Sequence, residues 1–147
     1  MATNSGLTGE YQHSLDAAGR IALPSRFRDQ FQGEVVLARL FEPCVNIYTP
    51  EGWDNMRERL TQLDPFKADA RTMQRQLLSR VFNAEADRQG RVVIPAQLRT
   101  PANLEAGQAV IVLGVEEHLE LWSPDLWAQE QARWEPQLSE LAERLSG

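Results

Sequence analysis

Apolar and polar residues alternate along two separated stretches of the chain, and a glycine turn interrupts each alternation. Tyr11, His13 and Leu15 lead into the first turn, and Ile21 and Leu23 lead out of it; Val92 and Ile94 repeat the exit from the second. Period two on either side of a turn predicts a β-hairpin with one buried face. The pattern places one hairpin over residues 9–23 and another over 83–94. Pro24 and Pro95 end the strands, keep Leu23 and Ile94 extended, and open short helices over Ser25–Phe31 and Ala96–Thr100. Gly33 reads as the cap of the first helix. Further strands are predicted over Glu34–Leu40, Val45–Tyr48, Gln108–Gly114 and His118–Trp122.

The period then lengthens. Thr49 is a good N-cap, Pro50 suits the first helical position, and Trp53, Met56 and Leu60 recur at helical spacing. A helix over Pro50–Leu63 follows, broken by Asp64 and Pro65. A second is predicted over Ala68–Phe82, with Met73, Leu77 or Leu78, and Val81 inward, and Arg71 and Arg75 as an i, i+4 pair on a solvated face. The last helix spans Pro124 to about Leu145, and Pro136 must kink or split it. Its narrow seam of Trp134, Leu138, Leu141 and Leu145 faces either the chain's own core or a neighbouring subunit. Residues Met1–Thr8 read as a loose start.

The two hairpin regions are copies of one another. Asp16, Gly19, Arg20, Pro24 and Arg28 fall on Asp87, Gly90, Arg91, Pro95 and Arg99, each pair 71 apart. Thr49, Pro50 and Trp53 match Ser123, Pro124 and Trp127 at an offset of 74, so the second copy carries three extra residues, placed within Thr100–Gly107. Each copy is too small to bury much core alone, and pairing the two supplies the missing partner in a pseudo-twofold unit. The organisation expected is repeat 1 over 9–52, connecting helices over 53–82, repeat 2 over 83–126, and an acidic helix over 127–147.

The matched residues dictate backbone shape. In each turn the aspartate accepts backbone N–H groups, and glycine three residues on supplies a positive φ. Arg20 and Arg91 emerge from these turns beside Asp16 and Asp87. A cation repeated in a repeated special geometry points to a surface that meets something anionic.

Composition qualifies this. The formal net charge is −6, which argues at first against nucleic acid. Yet residues 116–147 hold eight acids and two arginines, so the rest of the chain is neutral, with 13 charges of each sign. Fourteen of the fifteen cations are arginine, whose planar fork fits phosphates and guanine edges. No apolar run reaches the roughly 18 residues of a membrane span, and the first residues lack a signal-peptide core. With one cysteine, Cys44, no internal disulfide framework forms, and a cytoplasmic protein is expected. One cysteine and the isolated His13 and His118 cannot build a usual zinc site. Phosphate-loop, nucleophile-elbow and dinucleotide-binding glycine motifs are missing from the sequence. No cofactor, no metal, no small-molecule substrate and no enzymatic activity are expected.

The doubled Asp-x-x-Gly-Arg-[Ile/Val]-x-[Leu/Ile]-Pro hairpin resembles that of AbrB-type swapped-hairpin DNA-binding domains. Two such units in one chain of this length resemble the MraZ family of bacterial transcriptional regulators, over about residues 9–135. The resemblance implies an α+β, double AbrB-like β-barrel built from two tandem βαββα repeats with helices packed outside. It also implies a homo-oligomer, a ring, that binds short direct repeats in double-stranded promoter DNA. The target would be a division and cell-wall gene cluster, usually repressed, and the location nucleoid-associated. By the same resemblance Arg20 and Arg91 would touch DNA, with Asp16, Asp87, Gly19 and Gly90 shaping their turns. Arg26, Arg28, Arg88 and Arg99 would add phosphate contacts that position without specifying. An oligomeric protein-binding scaffold, or an antitoxin-like module using the acidic C-terminal helix, is the rival expectation.

Overall fold

The computed structural model describes residues 6–147; most of the expected loose start, residues 1–5, lies outside them. Its last part is not loose. Leu7 is fully buried and exchanges backbone hydrogen bonds with Glu116 at 3.1 and 2.8 Å.

Each half contributes four strands. The first supplies β1 (Glu10–Ser14), β2 (Arg20–Ala22), β3 (Gly33–Ala38) and β4 (Val45–Tyr48); the second supplies β5 (Val81–Ala86), β6 (Arg91–Val93), β7 (Ala109–Val115) and β8 (His118–Trp122). Six of them form an antiparallel sheet in the order β1-β7-β8-β4-β3-β5, and β2 and β6 form a separate two-stranded ribbon. Exchanging each strand for its copy turns the sheet order into its own reverse. A pseudo-twofold axis therefore passes between β4 and β8, where Asn46 faces Glu120.

The hairpins are present but open. Among the described residues, the backbone ladder between the arms of the first is limited to the bridge between Leu15 and Ile21 and the Asp16 N–H to Arg20 carbonyl bond. Beyond the turn, β1 pairs with β7 and β2 with β6, both in the other half. Each repeat thus reads ββαββα rather than βαββα. Neither sheet closes on itself, because the three-residue β2 and β6 pair only with one another. The fold is α+β with a mainly antiparallel sheet, and the expected barrel is not seen as a continuous ladder.

The main core lies between the six-stranded sheet and the ribbon. Val35, Leu37, Val45, Ile47, Val110, Val112, Leu119 and Leu121 point inward from the sheet, meeting Ile21, Leu23, Val92 and Ile94 from the ribbon. Phe27 and Phe31 (from a 3₁₀ turn, Ser25–Phe27, and the residues after it) and Leu98 (from α3, Ala96–Arg99) close the ends. Each such side chain stabilises by about 1.5–3 kcal/mol when withdrawn from water. Both halves supply these residues, so neither half has a core of its own.

Helices cover the sheet's other face. Helix α1 (Pro50–Thr61) is capped by Thr49, whose hydroxyl accepts the Gly52 N–H at 3.0 Å, and buries Trp53 and Leu60 beside Leu77 of α2 (Ala68–Leu78). The expected extension of α2 to Phe82 is not made. Val81 and Phe82 instead pair with Ala38 and Leu37 of β3, because the strand edge satisfies both backbone groups that a helix end leaves open. Met73, expected inward, is exposed. Pro136 splits the last helix into α4 (Pro124–Trp134), a 3₁₀ turn and α5 (Leu138–Ser146). Leu126 and Trp127 pack against Trp122, but Leu138 and Leu145 are exposed and α5 buries nothing. Among the described residues no helix is long and apolar enough to cross a membrane.

Candidate nucleic-acid interface

The ribbon decides where the two arginines stand. Arg20 pairs with Val93, Ile21 with Val92, and Ala22 with Arg91. Ile21 and Val92 are fully buried, so alternation turns Arg20, Ala22, Arg91 and Val93 to the opposite, outward face. Val93 is 53% exposed. Arg20 and Arg91 occupy diagonal positions on this face, about 7–8 Å apart at their Cβ atoms.

The turns are built alike. Asp16 Oδ1 accepts the Ala18 and Arg20 N–H groups, both at 2.9 Å, and Oδ2 accepts Arg20 Nε at 2.7 Å. Asp87 Oδ1 accepts the Gln89 and Arg91 N–H groups at 2.9 and 2.8 Å, and Oδ2 accepts Arg91 Nε at 2.8 Å. Gly19 and Gly90, at φ +78° and +74°, complete the turns. Each arginine is thus held at Nε, while among the described residues its two Nη groups make no hydrogen bond within the chain. That leaves an orientated fork with both prongs free. The guanidinium side chains are about a third exposed, 37% for Arg20 and 35% for Arg91.

Backbone N–H donation from Arg20 and Arg91, seconded by their guanidinium groups, holds both carboxyls below their ordinary value of 3.8. The folded pKa is depressed, so the stabilisation is present above 3.8 and is lost as pH falls through the lower folded value. The amide resonances of Arg20 and Arg91 are expected to titrate together with midpoints below 3.8. Midpoints at or above that value would show that the aspartates do not hold these turns.

Arg28 and Arg99 cross the axis. Arg28 donates Nε to the Leu23 carbonyl at 3.0 Å and lies against Gly90 of the other repeat, where an added Cβ would sit 2.9 Å from Arg28 Cδ. Arg99 donates Nε to the Ile94 carbonyl at 2.9 Å and backs Gly19, where a Cβ would sit 3.1 Å from its Nε. Two backbone bonds complete the symmetry, Leu23 N–H to the Gly90 carbonyl and Ile94 N–H to the Gly19 carbonyl. Arg26 is exposed, donates Nη1 to the Tyr11 hydroxyl at 2.9 Å and lies over the Phe27 ring. Arg88 is exposed within the second turn. The structure therefore gathers Arg20, Arg91, their aspartates and their glycines on the ribbon. Arg28 and Arg99 brace it from behind, and Arg26 stands off toward β1. Sequence reasoning missed the outward Val93 and the bracing contacts, which join residues 62 and 80 positions apart.

This doubled architecture is matched along the chain. A family model described as "MraZ protein, putative antitoxin-like" fits twice, over residues 7–76 and 77–147. The chain belongs to the MraZ family. The transcriptional regulator MraZ of Thermomicrobium roseum is 36% identical over 138 residues, spanning 94% of this chain and 96% of that protein. That of Thermoanaerobacter sp. strain X514 is 36% identical over 139 residues, 95% and 96% of the two chains. The Alkaliphilus metalliredigens protein of the same name is 39% identical over 121 residues, 82% and 83% of the two.

A second polar cluster sits on the helix-covered face. Glu120 accepts His118 Nε2 and Trp122 Nε1, each at 3.0 Å, and the Cys44 thiol adds to the lowering of its pKa. Although burial works to raise its pKa, these bonds hold the Glu120 carboxyl below the usual range. Cysteine, histidine and carboxylate are the residue types of a nucleophilic site, but the arrangement is structural. Cys44 is 1% exposed, and burial pushes its thiol far up, away from the reactive thiolate. Native protein is expected to resist an aromatic disulfide reagent at neutral pH and to react once unfolded; rapid native labelling would contradict this.

Proposed function

We propose that the chain is a transcriptional regulator that lays the β2–β6 ribbon into the major groove of double-stranded DNA. The observation that carries the reading is the pair of outward arginines on a two-stranded ribbon, each held at Nε with its Nη groups free. The major groove admits such a ribbon, and a forked arginine matches guanine O6 and N7. Arg20 and Arg91 are assigned base contacts, and Asp16, Asp87, Gly19 and Gly90 hold them in place. Arg99 is engaged within the fold and acts chiefly as a brace, and Arg26 is held by the Tyr11 hydroxyl beside β1. The relatives' name, transcriptional regulator, supports the same reading.

Two forks discriminate too weakly for a regulator acting alone. A ring of subunits on short direct repeats, set upstream of a division and cell-wall gene cluster that it represses, multiplies the affinity through effective concentration. Leu138 and Leu145, the exposed members of the C-terminal seam, offer surface for such assembly. The same acidic seam favours the rival reading, a protein-binding or antitoxin-like module. Sizing the protein with and without promoter DNA separates them: a larger, DNA-dependent complex supports the regulator, and co-purification of a small basic protein without DNA binding supports the rival.

Binding is expected to weaken steeply with salt, with a log–log slope of about −0.9 for each phosphate neutralised. Fluorescence anisotropy against a labelled promoter fragment reads it directly. A flat response would count against DNA as the partner.

A further inference from the structure

The two turns are shaped alike but lined by different side chains, and from this we infer that only the second grips the sugar–phosphate backbone. A cleft beneath the Asp87–Arg91 turn, between the guanidinium groups of Arg28 and Arg88, is the site of one DNA phosphate. The inference rests on the DNA-binding reading above and goes beyond it by giving the two repeats different tasks.

The cleft has a volume of about 370 Å³ and is lined by Arg28, Gln32, Gly33, Asp87 and Arg88, with Phe31 behind them. Its floor is open, since a Cβ placed on Gly33 would meet nothing within 4 Å. Arg28 is fixed by its Nε bond to the Leu23 carbonyl and by its stem against Gly90, so its orientation is set before any ligand arrives. Among the described residues, the Nη groups of Arg28 and all of the Arg88 guanidinium make no hydrogen bond within the chain. Asp87 lines the same cleft but is ion-paired with Arg91, whose Nε it holds at 2.8 Å. Two free forks facing one cleft suit a phosphodiester oxyanion, which takes charge-assisted bonds from each.

The first repeat lacks the second fork. Ala17 stands where Arg88 does. Arg99, the counterpart of Arg28, is within 3.5 Å of the Leu104 carbonyl through Nη1, and Leu104 N–H returns a bond to the Arg99 carbonyl at 3.0 Å. Leu104 is 3% exposed. It belongs to the segment that carries the three extra residues. The second turn therefore anchors the duplex as well as reading it, whereas the first can only read.

The test is anisotropy of the full chain with an operator duplex and a scrambled duplex, titrated between about 50 and 200 mM salt. Arg88→Ala is expected to weaken both duplexes by the same factor and to flatten the log–log salt slope by about 0.9. Gln32→Glu, which offers the two forks an internal carboxylate, is expected to do the same. Arg57→Ala on α1, across the sheet from the ribbon, removes the same charge and is expected to leave slope and affinity unchanged. An unaltered slope in Arg88→Ala, or a loss confined to the operator, overturns the phosphate site while leaving DNA binding standing. Failure of the unaltered protein to bind either duplex overturns the parent reading and this one together.

Discussion

Alanine at Arg20, and separately at Arg91, yields a folded protein that binds its operator roughly ten- to a hundredfold more weakly. One forked arginine on a guanine discriminates by about 1–3 kcal/mol, and each substitution removes one fork from the ribbon. The fold is expected to survive because the lost ion pairs are solvent-screened and such pairs add little stability. The turns keep their backbone anchors, since Asp16 Oδ1 and Asp87 Oδ1 still accept the main-chain N–H groups. Circular dichroism melting reads the fold, and a shift assay reads the binding. The preference for operator over scrambled duplex should shrink along with affinity, unlike the uniform loss expected of a phosphate contact. Operator affinity equal to the parent's in both variants would remove the ribbon from consideration as the reading surface.

Gly90→Val is the substitution expected to cost most stability, on the order of 2–3 kcal/mol. A β-branched residue is strained at φ +74° whatever the space around it. Here the space is also taken, because the new Cβ would fall 2.9 to 3.0 Å from Cδ, Cγ and Nε of Arg28. Moving Arg28 aside releases its bond to the Leu23 carbonyl, at the point where Leu23 also pairs with Gly90. Gly33→Ala serves as the comparison. Its φ of +71° is similar, but the added methyl meets nothing within 4 Å, so only the backbone strain of about 1 kcal/mol remains. Denaturant midpoints for the two variants separate strain from crowding. Equal losses would mean that the arginine across the axis gives no support to the turn.

The turns, the strands and the duplication were legible in the chain because they depend on local chemistry. Asp16, Gly19 and Pro24 state a turn and a strand end without help from distant residues, and their copies repeat the statement. The Thr49 cap and the break at Pro136 were equally local. The pairing of the arms was not. Nothing in residues 9–23 says that β1 will join β7 rather than β2, since alternation fixes which face is buried and not which neighbour covers it. Val81 and Phe82 were misplaced for the same reason: helical spacing continues into them, and only the edge of β3 draws them into a strand. Arg28 and Arg99 looked like surface cations, and their bracing role exists only after the two halves interlock. Cys44 lies far in sequence from His118 and Glu120, and the adjacency of β4 and β8 brings it beside them.

Because the dyad lies within a single polypeptide, its arms are encoded separately and are free to drift apart. In a homodimer every substitution appears on both sides, which holds the recognised site to a palindrome. Here Ala22 and Val93 already differ at equivalent places on the ribbon. One subunit can therefore carry polarity, distinguishing the two directions along a duplex. Polarity of this kind would let subunits of the proposed assembly follow one another in the same sense.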